Sequence, residues 1–200
     1  MKNPFIGCFN KSVIVTYIGL TSSVIGITQL LIHQPHESID RIGIAMICLI
    51  ISGICDLFDG FIARKCKRTE IQKQFGIQID SLVDVISFLI FPAIILIHMN
   101  DAFTWLAVIY LIAGVTRLAW FNIHTDGHTD YYQGLPVTFS AFFFPIAYAL
   151  NYKITYMFPL LFGLIALLFV LNIPIKKPKS LPAYISFVIL AIGTILLILC

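Results

Sequence analysis

Charge is what this chain has least of. Asp, Glu, Lys and Arg together make up 12% of its 200 residues, while 59% of the residues are hydrophobic. A soluble domain carries about 25% charged residues. A chain this apolar cannot cover itself with polar surface, so most of its solvent must be lipid, which excludes an ordinary water-soluble domain. A polar tail, a low-complexity tract and a basic patch are missing too. With a formal net charge of only +3, nothing recommends a nucleic-acid partner. The five cysteines (Cys8, Cys48, Cys55, Cys66 and Cys200) include no CxxC pair and read as small membrane hydrophobes. No Ala-x-Ala cleavage signal follows the first apolar run, so that run is expected to be a retained helix.

What is present is a series of long apolar runs. A hydrocarbon core of about 30 Å takes roughly 20 residues of helix to cross. Seven runs qualify: Val13–Ile32, Ile42–Ala63, Ile79–His98, Ala102–Asn122, Leu135–Tyr152, Tyr156–Ile173 and Leu181–Cys200. The expected fold is an all-α, polytopic membrane bundle of about seven transmembrane helices (six to eight), formed as a single domain over residues 1–200. The fifth run is the weakest, being short and containing Pro145; merged with the sixth, it would reduce the count to six. Cytoplasmic loops carry an excess of Lys and Arg. With the N-terminus in the cytoplasm and seven crossings, eleven of the thirteen Lys and Arg residues fall on or near the cytoplasmic side, and only Arg41 and Lys153 do not. That bias supports two separate helices in the Leu135–Ile173 region.

Six of the ten acidic residues (Glu37, Asp40, Glu70, Asp101, Asp126 and Asp130) fall in expected loops. Asp56 and Asp59 lie inside the second apolar run, and Asp80 and Asp84 open the third. A carboxylate in the membrane costs several kcal/mol unless paired or wetted, and marks function by default. Spacings of three and four set each pair along one helix face. The two helices, antiparallel across a cytoplasmic link, would bring all four carboxylates to a similar depth. Four anions do not converge unopposed, and the natural counter-charge is one or two Mg²⁺ or Mn²⁺ ions, which take oxygen ligands and often substrate phosphates. Gly60 and Ala63 continue the stripe, leaving room for a ligand or for tight helix packing. Arg64 ends it, either as a phosphate-holding fork or as an interfacial anchor.

Asp56-Leu-Phe-Asp59-Gly60-Phe-Ile-Ala63-Arg64 followed by Gly76-Ile-Gln-Ile-Asp80-Ser-Leu-Val-Asp84 resembles the signature of the CDP-alcohol phosphotransferase (phosphatidyltransferase) family, DxxDGxxAR…GxxxDxxxD. The stretch from Lys65 to Phe75 is eleven residues long where that family usually has eight or nine. The resemblance implies an enzyme of phospholipid biosynthesis that moves a phosphatidyl group from CDP-diacylglycerol to a small alcohol. It implies metal at Asp56, Asp59 and Asp80, with Asp84 also facing the metal site and acting as catalytic base. It places the CDP-lipid on Asp56, Gly60, Ala63 and Arg64. A homodimer in a plasma membrane is implied as well, while the basic-residue bias is what sets the N-terminus and the active site on the cytoplasmic side.

Arg117-Leu-Ala-Trp-Phe-Asn122, Gly134-Leu-Pro136 and Asn172-Ile-Pro174 resemble segments of the phosphatidylserine synthase branch, with Trp120 where that branch often has a second Arg. The branch implies L-serine as acceptor, with Arg117 and Asn122 as acceptor-site residues. Glycerol-3-phosphate, inositol or inositol phosphate are the alternative acceptors. Arg117 reads equally as a snorkelling anchor. His124, Asp126, His128 and Asp130 sit in a polar, glycine-containing stretch that reads as a solvated loop, not a zinc site, and His33 and His36 support no claim. A divalent-cation transporter is the rival class. It should spread its acids over more helices near the midplane, with broken repeats.

Overall fold

The computed structural model describes residues 7, 8, 10–32, 40–124, 131–151, 157–176 and 181–199. Seven helices account for nearly all of them. They are α1 (Lys11–Leu31), α2 (Arg41–Lys65), α3 (Glu70–Met99), α4 (Thr104–His124), α5 (Ser140–Asn151), α6 (Met157–Val170) and α7 (Leu181–Leu199). The first four are long and apolar enough to cross a membrane. The protein is an all-α polytopic membrane bundle, as the apolar runs require. The exposed side chains are the expected lipid-facing ones, such as Ile112 on α4, Leu160 on α6 and Leu196 on α7.

Two short strands were not foreseen. β1 (Tyr131–Gln133) and β2 (Pro174–Lys176) pair antiparallel, Tyr132 opposite Ile175. The Gly134 N–H donates to the Ile173 carbonyl and the Leu135 N–H to the Leu168 carbonyl, at 3.0 Å each. Gly134 adopts φ +74°, and a Cβ there would stand 2.6 Å from the Phe169 carbonyl oxygen, so no other residue fits without strain. The ladder ties the entry to α5 and the exit from α6 to one end of the bundle. The Leu135–Ile173 region therefore goes out and comes back as two helices.

α3 starts nine residues before its apolar run begins at Ile79. Thr69 and Gln72 form a capping box: the Gln72 N–H donates to Thr69 Oγ1 and the Thr69 N–H to Gln72 Oε1. Glu70 thus opens a helix instead of lying in a loop, and residues 66–69 alone link α2 to α3. Mid-helix, Val85–Ile90 is a π-helical turn, with the Phe91 N–H bonded to the Ile86 carbonyl. Pro92 is the cause: it has no N–H to offer Phe88, four residues back. The Phe88 carbonyl instead accepts from Tyr110 Oη (2.6 Å) and, more weakly, from Ser140 Oγ (3.2 Å), whose one proton is shared with the Val137 carbonyl (2.7 Å). Those two bonds fasten α4 and α5 to α3 one turn beyond Asp84, and Tyr110, Phe144 and Phe162 fill the core around them.

α1 lies along α2 in close contact, with small and hydroxyl side chains between them. Ser23 Oγ donates to Ser52 Oγ and Ser22 Oγ to the Cys48 carbonyl, both at 2.9 Å. A Cβ on Gly19 would stand 3.0 Å from that of Cys55, which measures how near the backbones run. Cys8, Cys48, Cys55 and Cys66 are free thiols, Cys48 buried in the core.

Candidate functional site

A cavity of about 290 Å³ opens where α2, α3, α4, α7 and the β1–α5 connection meet. α2 contributes Asp56, Asp59, Gly60 and Arg64, and α3 contributes Ile77, Asp80, Ser81 and Asp84. From α4 come Arg117, Phe121 and Asn122, and from later in the chain Tyr132, Pro136, Thr138 and Tyr184. Carboxylate oxygens of Asp56, Asp80 and Asp84 all lie within 4.8 Å of one another. Oxygens sharing one Mg²⁺ or Mn²⁺ at about 2.1 Å stand at most about 4.2 Å apart, so these three need only a small adjustment to meet a common ion. Among the described residues, none of the three forms an ion pair with Lys or Arg. The donor set is all oxygen, which suits a hard divalent cation.

Asp59 stands outside that group of three. It is buried, lines the same cavity, and accepts a hydrogen bond from the Thr16 hydroxyl of α1. Asp56 is held in a similar way: Thr138 Oγ1 donates to its Oδ2 at 2.9 Å. Two of the four aspartates are thus fixed by threonines on other elements, as carboxylates that serve a metal generally are. Asp84 is 9% exposed, deep in the bundle, directly before the π-helical turn.

Arg117 is only 6% exposed, which removes the snorkelling reading. Its guanidinium lies over the Phe121 ring at 4.9 Å and the Tyr132 ring at 5.9 Å, and its Nε has no hydrogen-bond partner. A buried arginine with an unused donor, beside a cavity, is suited to an anionic ligand group. Asn122 reaches the same cavity and exchanges hydrogen bonds with Ser81 (2.9 and 3.2 Å). Burial pushes the Tyr132 phenol above its ordinary pKa, with Asp56 adding to the effect and Arg117 opposing it, so the hydroxyl stays protonated at neutral pH.

Arg64 donates through Nη2 to Tyr184 Oη at 2.7 Å. Gly60 lines the cavity with only Arg64 Nη1 near the place a Cβ would take, at 3.6 Å, whereas Ala63 is half-buried and is not part of the cavity lining. Small size at position 63 is therefore not explained by the cavity itself. His124 ends α4, stacked on Trp120 at 3.8 Å, with Nδ1 3.0 Å from the Trp120 carbonyl. Asp126, His128, Asp130, His33 and His36 lie outside the described residues.

Four polar cavity residues escaped the sequence reading, namely Ser81, Tyr132, Thr138 and Tyr184, along with Thr16 behind Asp59. Ser81 sits next to Asp80 and Thr138 two residues past Pro136, so proximity to motifs offered a signal for both. Thr16, Tyr132 and Tyr184 gave none, because their proximity arises only from the fold.

A membrane bundle with a carboxylate cluster beside two arginines has groups suited to a divalent cation and to phosphate. The model of the CDP-alcohol phosphatidyltransferase family matches residues 9–199. The chain belongs to that family, whose members are enzymes that take CDP-alcohols and alcohol acceptors in a lipid setting. Over 101 residues it is 35% identical to the archaetidylserine synthase of Methanothermobacter thermautotrophicus, covering 48% of this chain and 42% of the relative. It is also 35% identical over 91 residues to the CDP-diacylglycerol–serine O-phosphatidyltransferase of Helicobacter pylori (42% and 38%). To the protein of that name from Mycobacterium tuberculosis it is 27% identical over 133 residues (61% and 43%). The chain matches less than half the length of each of these relatives.

Proposed function

We propose that the protein transfers a phosphatidyl group from CDP-diacylglycerol to L-serine, giving phosphatidylserine and CMP. The observation that carries the reading is the meeting of Asp56, Asp80 and Asp84 within 4.8 Å in a cavity that also holds Arg64 and Arg117. The similarity to proteins named for serine lipids favours serine over glycerol-3-phosphate, inositol or inositol phosphate.

Asp56, Asp80 and Asp84 would hold Mg²⁺ or Mn²⁺, with Asp59 as a further oxygen donor on the same cavity. When bound, the cation would neutralise the diphosphate and stabilise the departing CMP. Asp84 takes the proton of the serine hydroxyl as its oxygen attacks the phosphorus that carries the diacylglycerol. A new P–O bond to serine forms, the P–O bond to CMP breaks, and CMP leaves with the electron pair. Arg64 and Gly60 receive the nucleotide and its phosphates. Arg117, with Asn122, receives the serine carboxylate: its buried guanidinium has a free donor for an anion.

The same reading places the whole of residues 1–200 in one domain, as a homodimer in a plasma membrane with the N-terminus and cavity facing the cytoplasm. The basic residues at the end of α2 (Lys65) and in the α2–α3 link (Lys67, Arg68) support that orientation. The test supplies purified protein with CDP-diacylglycerol, Mn²⁺ and labelled serine, glycerol-3-phosphate or inositol, and measures CMP. Release with serine is expected, and Asp84→Asn should lower it by about 10²- to 10⁴-fold, the usual contribution of a general base. No release with any alcohol would overturn the proposal in favour of cation transport, and a fully active Asp84→Asn would remove the base assignment.

A further inference from the structure

α7 turns most of its surface outward, with Ile185, Ile189, Ile192, Leu196 and Leu197 all exposed. Tyr184 is its contribution to the cavity lining. The Tyr184 hydroxyl accepts from Arg64 Nη2 at 2.7 Å, and its ring lies 5.9 Å from that of Phe61. Phe61 is in turn covered by Lys65, whose Nζ is 4.0 Å from the ring centroid. Arg64 Nη1 lies 3.6 Å from the point where a Cβ on Gly60 would be. One nitrogen of the guanidinium is therefore tied to α7 while the other sits over the glycine.

Arg64 is exposed in the last turn of α2. A long side chain in that setting spreads over many rotamers, and gathering it onto a ligand costs conformational entropy. A tether that already holds the fork removes part of that cost. We propose that Tyr184 is a positioning residue for the nucleotide diphosphate, fixing the Arg64 guanidinium over Gly60 so that it meets the phosphates of the CDP-lipid preformed. This rests on the CDP-lipid reading of Arg64 given above. Tyr184 acts through Arg64 and does not touch the reacting atoms, so its effect belongs to donor binding and not to the chemical step.

Tyr184→Phe removes the hydroxyl and keeps the ring on Phe61. In the full chain in detergent micelles, titration with CDP-diacylglycerol should show about 2- to 12-fold weaker binding, the range of one ordinary net hydrogen bond, since Arg64 is exposed. The KM for CDP-diacylglycerol should rise in parallel, with kcat within about twofold of the parent and the KM for serine unchanged. On an Arg64→Ala background, Tyr184→Phe should add nothing. Equal affinity of parent and Tyr184→Phe for CDP-diacylglycerol, or full additivity with Arg64→Ala, would overturn the inference. A parent that binds CDP-diacylglycerol but releases no CMP contradicts the proposed reaction, and the binding comparison still decides the role of Tyr184. A parent that does not bind the lipid contradicts both.

Discussion

At the scale of single residues, the site depends on hydrogen bonds that the spacing of the aspartates does not announce. Asp56 has one carboxylate oxygen taken by Thr138, which arrives from a different part of the chain and 82 positions later. Losing a partner behind a metal-binding carboxylate typically costs about 10- to 100-fold in metal affinity. Thr138→Val should therefore raise the Mn²⁺ concentration for half-maximal activity by that order, and Thr138→Ser should restore it. An unchanged Mn²⁺ dependence in Thr138→Val would show that the bond is incidental. The four aspartates and Arg64 were legible as cavity residues because ionisable residues are so costly in apolar helices that each one stands out, and Gly60 because it continues the stripe they begin. Arg117 was half legible: its identity drew attention, but only its burial between Phe121 and Tyr132 distinguishes a ligand-facing arginine from a snorkelling one. Tyr184 was not legible at all, since a tyrosine near the end of an apolar helix is an ordinary interfacial residue.

At the scale of elements, the most informative feature is the interruption in α3. Pro92 leaves the Phe88 carbonyl without its helical donor, and Tyr110 and Ser140 supply replacements. A buried carbonyl without a partner costs about 1–3 kcal/mol. Tyr110→Phe alone should lower stability by about 1 kcal/mol because Ser140 remains, and Tyr110→Phe with Ser140→Ala by more than the sum of the two single changes. Thermal unfolding in detergent measures this, and strict additivity would mean that the two hydroxyls do not share the carbonyl's satisfaction. Helix positions followed directly from apolar length, because lipid admits little else. Helix starts did not: residues 70–78 are polar, and only the Thr69–Gln72 capping box shows that α3 extends beyond its apolar run. The β1–β2 ladder was hidden for another reason. Three-residue strands carry no periodicity to read, and Gly134 gave the one local sign of a turn.

At the scale of the whole molecule, the β1–β2 ladder places the α5–α6 pair as an out-and-back excursion from one end of the bundle. Tyr132 of β1 and Arg64 at the end of α2 line one cavity, so that end also carries the α2–α3 link with Cys66, Lys67 and Arg68. If the cytoplasm lies there, a variant retaining Cys66 as its single cysteine should resist a membrane-impermeant maleimide in intact cells and react once the cells are opened. Labelling in intact cells would invert the orientation. The proposed reaction depends most on a divalent cation held by Asp56, Asp80 and Asp84 between α2 and α3. Calorimetric titration of Mn²⁺ into chelator-treated protein tests it most directly. Saturable binding that disappears in Asp80→Asn is the predicted result. Equal binding by the parent and Asp80→Asn would contradict it.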